Sequence, residues 1–264
     1  SWTAKALLAK VYLTLNRKAD AVTLLTDIVA NSGYGLNASY ADIFATTNEM
    51  NREVLFAVRY KAGGIGQGSP FPNFFAPELS GTAVINGDGS GFNTPTADLF
   101  AKYDVLDLRR DMSIGSYGTA KMLYPKKMIS PVSIKGDGES DWIVIRYADV
   151  LLMAAELNLD TNGALAQTDL DRVRDRAFKD TAHRVPVSKA VIMEERRLEL
   201  ALEGLRYFDL IRQGMPVMKA AIDNNTGDSQ FAVTFRPETL GWLPLPQSQI
   251  VLSNGTIQQN PGWN

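Results

Sequence analysis

Residues 193–212, MEERRLELALEGLRYFDLIR, set nine charged side chains into a twenty-residue helical pattern. Glu195, Glu199 and Glu203 recur at four-residue steps and, with Arg206, form one stripe of a helix. Neighbouring carboxylates could supply the acid and base of glycoside hydrolysis, with Glu203 or Glu199 as the acid. That chemistry needs one carboxyl group kept protonated by an apolar site poor in cations. Here arginines stand at every turn, so opposite charges alternate at pairing distance, which is what a structural ion network requires. Val191, Leu198, Ala201, Leu202, Leu205 and Phe208 predict an apolar arc beside the stripe, in one helix capped at Ser188. Asp209 and Arg212 fall back into that arc three residues apart, where each can neutralise the other or pair with a neighbouring helix.

Two other patterns fail on spacing. GGIGQGS (63–69) follows a strand-like segment, but a phosphate-binding P-loop needs Gly-Lys-Ser/Thr and Gly68 is followed by Ser69. NGDGSG (86–91) places Asn86, Asp88 and Ser90 at alternate positions as in a calcium loop. The position of the bidentate glutamate is Ala97, so a turn explains the segment better. The single histidine, His183, lies in a polar connection before Pro186, which makes it a surface residue rather than a catalytic base. Cysteine is absent, which excludes disulfides and thiolate metal sites. Neither a metal site nor a cofactor follows from the sequence.

The remaining chemistry is aromatic. Phe71, Phe74, Phe75, Phe92, Tyr103 and Tyr117 fall in segments that read as loops, where a core is not their automatic home. A sugar ring stacks its C–H face on an aromatic ring while its hydroxyls take directional hydrogen bonds. Phe71, Asn73, Phe74, Phe75, Asn93 and Tyr117 are therefore the candidate ligand-binding residues. The competing reading is that these rings pin the loop to the helices beneath.

The elements that must carry these residues are mostly helical. Trp2, Ala6, Ala9 and Leu13 recur at three- and four-residue steps, and Ala21, Leu25 and Ile28 continue the pattern in a second helix. Small and large residues alternate there as in a tetratricopeptide hairpin. A second hairpin is expected from about Trp142. IRYADVLLMAAELNL buries Tyr147, Leu151, Ala154 and Ala155, DTNG turns the chain, and ALAQTDLDRVRDRAF returns with Ala166, Leu170, Val173 and Ala177 inward. REVLFAVRY (52–60) reads as a strand. The glycine- and proline-rich stretch after it is long for a passive connection, and such loops tend to be functional. The last fifty residues read as short strands and turns.

The composition is 45% hydrophobic and 21% charged, with 27 basic against 29 acidic residues, a net charge of −2. No basic surplus exists to hold a phosphate backbone, so nucleic acid is not an expected partner. No apolar run approaches the length of a membrane span. The chain begins at Ser1 already inside a helical pattern, so native sequence upstream is expected.

Several segments, taken in order, resemble the C-terminal, larger part of SusD/RagB-family proteins. They are ALLAKVYL, AVTLLTDIVANSGYGL, NREVLFAVRY, LFAKYDVLDLRRD, DWIVIRYADVLLMAAELNL, LDRVRDRA, EERRLELALEGLRYFDLIRQG and LPLPQSQIVLSNGTIQQNPGW. The match departs at Gln213 in Arg-Gln-Gly, where tryptophan is frequent, at Asp171 and at Phe178. The resemblance implies a mainly α fold of tetratricopeptide-like hairpins with long irregular loops and a few short strands. It implies one domain over 1–264, with a helical framework at 1–33 and 142–213 and a loop insertion at 61–96. It also implies non-catalytic capture of oligosaccharides, or of peptides in some members, and delivery to a SusC-like TonB-dependent transporter of the outer membrane. The implied location is the cell surface, through a lipid anchor on an N-terminal cysteine outside this sequence. In that family the Glu-Gly-x-Arg helix is structural. The alternatives left open are a glycoside hydrolase and a pure helical-repeat scaffold.

Overall fold

The computed structural model of the protein describes residues 1–223 and 233–263. The chain is mainly α-helical and forms two compact units, Ser1–Gly204 and Leu205–Asn264.

The first unit begins with a helical hairpin, α1 (Trp2–Thr14) and α2 (Lys18–Asn31). The Ser1 hydroxyl caps α1 by accepting from the Ala4 amide. Ala6, Ala9 and Ala21 are fully buried, so the two helices pack closely, and Leu25 and Ile28 fill the space between turns. Strand β1 (Val54–Val58) follows. The short helices α3 (Phe71–Phe75), α4 (Ala97–Lys102) and α5 (Arg110–Ser113) then lie in a long irregular region. It continues through the hairpin of β2 (Ile114–Tyr117) and β3 (Met122–Pro125).

Trp142–Arg146, expected to open a helix, is strand β4, antiparallel to β1 with Ala57 opposite Ile143 and Val58 opposite Trp142. Its β-branched isoleucines and valine suit a pleated ribbon, and the helix starts one residue later. Helices α6 (Tyr147–Asn158) and α7 (Gly163–Phe178) form the second hairpin. The Asn162 side chain caps α7, and Lys179 closes it in the left-handed region at φ 61°. Ala166, Leu170, Val173 and Ala177 are buried, and the core joins α1, α2, α6 and α7.

The charged segment is not one helix. Helix α8 (Lys189–Glu199), capped by Ser188, ends before Leu202 and Gly204, which both take positive φ. The apolar arc predicted across 191–208 is therefore cut, and Phe208 is exposed. The second unit begins past the cut with α9 (Arg206–Arg212) and α10 (Met215–Asp223). Leu210, Met218 and Phe235 form its core, and Asp209 and Arg212 pair at 2.9 Å as expected. Where short strands were expected, its described residues form turns and helix α11 (Gln247–Leu252).

Candidate functional site

The glutamates of α8 and of the turn after it do not line an open cleft. Glu195, Glu199 and Glu203 are at most 4% exposed, more deeply buried than Leu202 or Phe208. Glu199 takes Arg146, Arg176 and Arg109, the last at 3.0 Å. Glu203 holds Arg146 at 2.9 Å and Lys127 at 2.7 Å. Glu195 accepts from Arg109 and from Arg174 at 2.6 Å. Glu53, at the start of β1, accepts from Arg146 at 2.9 Å and Arg176 at 3.1 Å, and Asp107 closes on Arg109 at 2.7 Å. Five carboxylates thus meet five cations, and the cluster is neutral. Tyr40 lies under Arg176 at 4.9 Å and donates its hydroxyl to the Glu199 carbonyl at 2.6 Å.

Burial alone would raise the Glu199 carboxyl, but Arg176, Arg146 and Arg109 outweigh it and hold the group well below the usual carboxylate range. Glu203 is lowered in the same way by Arg146 and Lys127 against its own burial. Burial brings Lys127 down to about 8, although Glu203 opposes the shift. A general acid needs the opposite arrangement, a carboxyl raised toward neutrality. This cluster ties β1, β4, α7 and α8 together, and its charges are spent on one another.

The glycine-rich loop is already closed on a carboxylate from a distant segment. The amides of Gly63 and Gly64 both donate to the Asp137 carboxylate, at 2.9 and 2.8 Å, where a phosphate would have to sit. Asp88 closes the NGDGSG turn, accepting from the amides of Gly81 and Gly89 at 2.9 and 2.8 Å. His183 stacks on Phe178 and faces Asp180 at 2.8 Å, partly exposed.

The aromatic candidates divide by direction. Asn73 is 2% exposed, and its amide is used inside the loop rather than offered to solvent. Its N–H groups donate to the Asn86 and Asp88 carbonyls, and its oxygen accepts from the Gly136 amide at 2.8 Å. Phe75 is buried and Phe71 half-buried, and both pack on Trp142 of β4, with ring centroids 6.4 and 4.8 Å away. Tyr103, also read as a loop ring, is a core residue whose hydroxyl donates to the Leu198 carbonyl.

Phe74 points the other way. The amides of Ser90, Gly91 and Phe92 donate to the carbonyls of Asn73, Ala76 and Phe74, so residues 90–92 run along α3. This brings the Phe92 ring 5.5 Å from that of Phe74. The two are 56% and 40% exposed, an apolar pair on the surface. Asn93 follows, exposed, with its amide donating to the Leu202 carbonyl at 3.1 Å. Tyr117 stands apart, half-buried at the turn end of the β2–β3 hairpin opposite Met122. The sequence reading passed over Trp142 as a platform for the loop. Its only signal was a large ring beside the predicted second hairpin.

Paired tetratricopeptide-like hairpins, a neutral buried ion cluster and a loop presenting rings define a helical-repeat protein with elaborated loops. The chain belongs to the SusD family, whose model matches residues 106–263. It is similar to SusD-like proteins P25 and P2 of Formosa agariphila, at 26% and 24% identity over 81% and 99% of this chain. Among solved structures it is similar to surface glycan-binding protein A of Bacteroides thetaiotaomicron in complex with laminarihexaose. That likeness has 25% identity and a TM-score of 0.80, covering 97% of this chain and 62% of the other. A laminarin-binding SusD-like protein matches at 26% identity and a TM-score of 0.79, over 99% of this chain and 62% of the other. The chain spans 50% and 59% of the lengths of the two Formosa relatives.

Proposed function

We propose that this protein is a non-catalytic oligosaccharide-binding component of a bacterial surface uptake system. Its ligand face includes Phe74, Phe92 and Asn93. The observation that carries the reading is the exposed Phe74–Phe92 pair, held outward by a loop whose Asn73, Phe71 and Phe75 are committed inward. Two adjacent rings offer a platform for successive sugar C–H faces, and Asn93 adds hydrogen-bonding groups beside them. Tyr117 is a second, separate contact in this proposal.

Membership of the SusD family and the laminarihexaose complex of a similar protein support a glycan over a peptide. Neutralised glutamates support binding without hydrolysis. In this reading the protein sits at the outer face of the outer membrane through a lipid anchor outside this sequence. There it passes ligand to a SusC-like TonB-dependent transporter. No described helix is long and apolar enough to cross a membrane.

Calorimetry against laminarihexaose and a panel of other neutral oligosaccharides tests the proposal. Phe74→Ala and Phe92→Ala should each weaken binding by about five- to 150-fold, the roughly 1–3 kcal/mol lost when a ring no longer covers apolar ligand surface. Unchanged affinity in both variants removes the loop from the site, and release of reducing sugar by the purified protein overturns the non-catalytic reading.

A further inference from the structure

A second feature of the first unit has no part in that reading. An open cleft of about 490 Å³ lies between the segment after α2 and the C-terminal end of α7, with Asn37, Arg52, Arg172, Arg176 and Lys179 in its walls. That volume lies within the range that holds a small polar ligand. Its charge is one-sided. Asp175, the acidic residue of the lining, is already held by Arg184 through two hydrogen bonds of 2.8 and 2.6 Å. Glu53, behind the wall, is taken by Arg146 and Arg176. Arg172 leans on Tyr147 and sits 3.6 Å from Asp169.

Arg52 and Lys179 are exposed, and neither has a carboxylate partner among the described residues. The end of α7 brings about half a negative charge to the cleft, which two unpaired cations exceed.

Two donors in the wall are also unmade. The Asn37 side-chain amide nitrogen and the Arg176 Nε–H have no hydrogen-bond partner, although both residues are more than nine-tenths buried. A donor left unsatisfied in a buried position is unfavourable, and native structures show few of them. Gly35 lies close under the Arg52 guanidinium, so a Cβ there would make that side chain shift. The Gly35 amide also donates to the Arg52 carbonyl at 3.0 Å, so backbone and guanidinium are set against the cleft together.

We propose that this cleft is an anion-binding site, taking a carboxylate or sulfate group, with Arg52 and Lys179 as the charges that attract it and Arg172 as the third cation facing it. A planar guanidinium matches such oxyanions with paired N–H donors, and Lys179 acts as a point charge. The site is distinct from the Phe74–Phe92 face and does not depend on that face binding sugar.

The test uses the whole chain at constant ionic strength, titrated with sodium sulfate, with sodium glucuronate and with glucose. The readouts are calorimetry and the NMR signals of the Gly35 and Leu36 amides and the Arg52 Nε–H. Saturable binding of sulfate or glucuronate, with those signals moving and glucose silent, is the expected result. A response to sulfate alone assigns the site to a free anion, and a tighter response to glucuronate assigns it to an acidic sugar.

The double variant Arg52→Ala with Lys179→Gly should bind at least tenfold more weakly. Both side chains are exposed, and glycine suits the left-handed φ of position 179, so the variant should fold. Its affinity for laminarihexaose, where the parent binds it, should not change. Failure of both anions to saturate, equal anion binding by parent and variant, or movement only of distant signals overturns the proposal.

Discussion

Replacing Glu199 by glutamine tests the ion cluster most directly, because the change keeps shape and removes one charge. In the parent, Glu199 faces Arg109, Arg146 and Arg176. After Glu199→Gln, Arg109 still has Asp107 and Glu195, and Arg146 still has Glu53 and Glu203. Arg176 retains only Glu53, so five cations face four carboxylates in a dry site. Breaking a buried pair by removing one partner costs about 3–5 kcal/mol. A domain of this size loses roughly 2–4 °C of melting temperature per kcal/mol, so a fall of about 6–20 °C is expected.

Circular dichroism melting and urea titration at pH 7 measure it. A second change, Arg176→Met, should restore part of the loss by returning the cluster to neutrality. The gap should also depend on pH. Glu199 is ionised far below its unfolded value, so its contribution is fully present above about pH 4.5 and fades as pH falls toward the folded value. A melting temperature within 2 °C of the parent at pH 7, or no recovery in the double variant, would refute the view of this cluster as architecture.

Asp169→Asn should act in the opposite direction. Burial pushes the Asp169 carboxyl up to about 6, with Arg172 only partly opposing it, so ionising it costs stability as pH rises through roughly 4 to 6. The asparagine variant should be more stable at pH 7 by on the order of 1–3 kcal/mol and no more stable at pH 3.5, as read by urea midpoints at both values. Gly89→Ala should open the ring-bearing loop, because the new Cβ would press on the backbone of Ala76 and Pro77. Amide exchange at Ser90, Gly91 and Phe92 should speed up while the core of α6 and α7 stays protected, and unchanged exchange would show that the loop can yield.

The helical framework was legible because its signal is local. Ala6, Ala9, Leu25, Leu170 and Val173 lie at helical spacing, and each is buried where the spacing put it. The alternation of signs along α8 likewise announced a paired network. The partners themselves could not be read, because Arg109, Lys127 and Arg146 come from elements far away in the chain. The break after Glu199 was hidden for a related reason. Leu202 takes φ 67° without being glycine, so only Gly204 marked the turn.

For the loop, composition identified the rings but not their directions. Whether a phenylalanine faces Trp142 or solvent depends on hydrogen bonds made by Asn73 and by residues 90–92, which no periodicity encodes. The basic cleft left no trace in the sequence, since residues 34–38 and 52 meet 172–179 only in the folded unit.

The cluster around Glu199 draws on segments near 53, 109, 127, 146, 176 and 199, so no stretch of the first unit can reach electrical balance alone. Contacts that distant in sequence form late and together, which favours cooperative assembly over piecewise assembly. A protease nick in the exposed stretch between Gly63 and Gly68 would then leave two chains still clasped by Glu53 with Arg146 and Arg176. The severed pieces would be expected to travel as one particle until denaturant separates them.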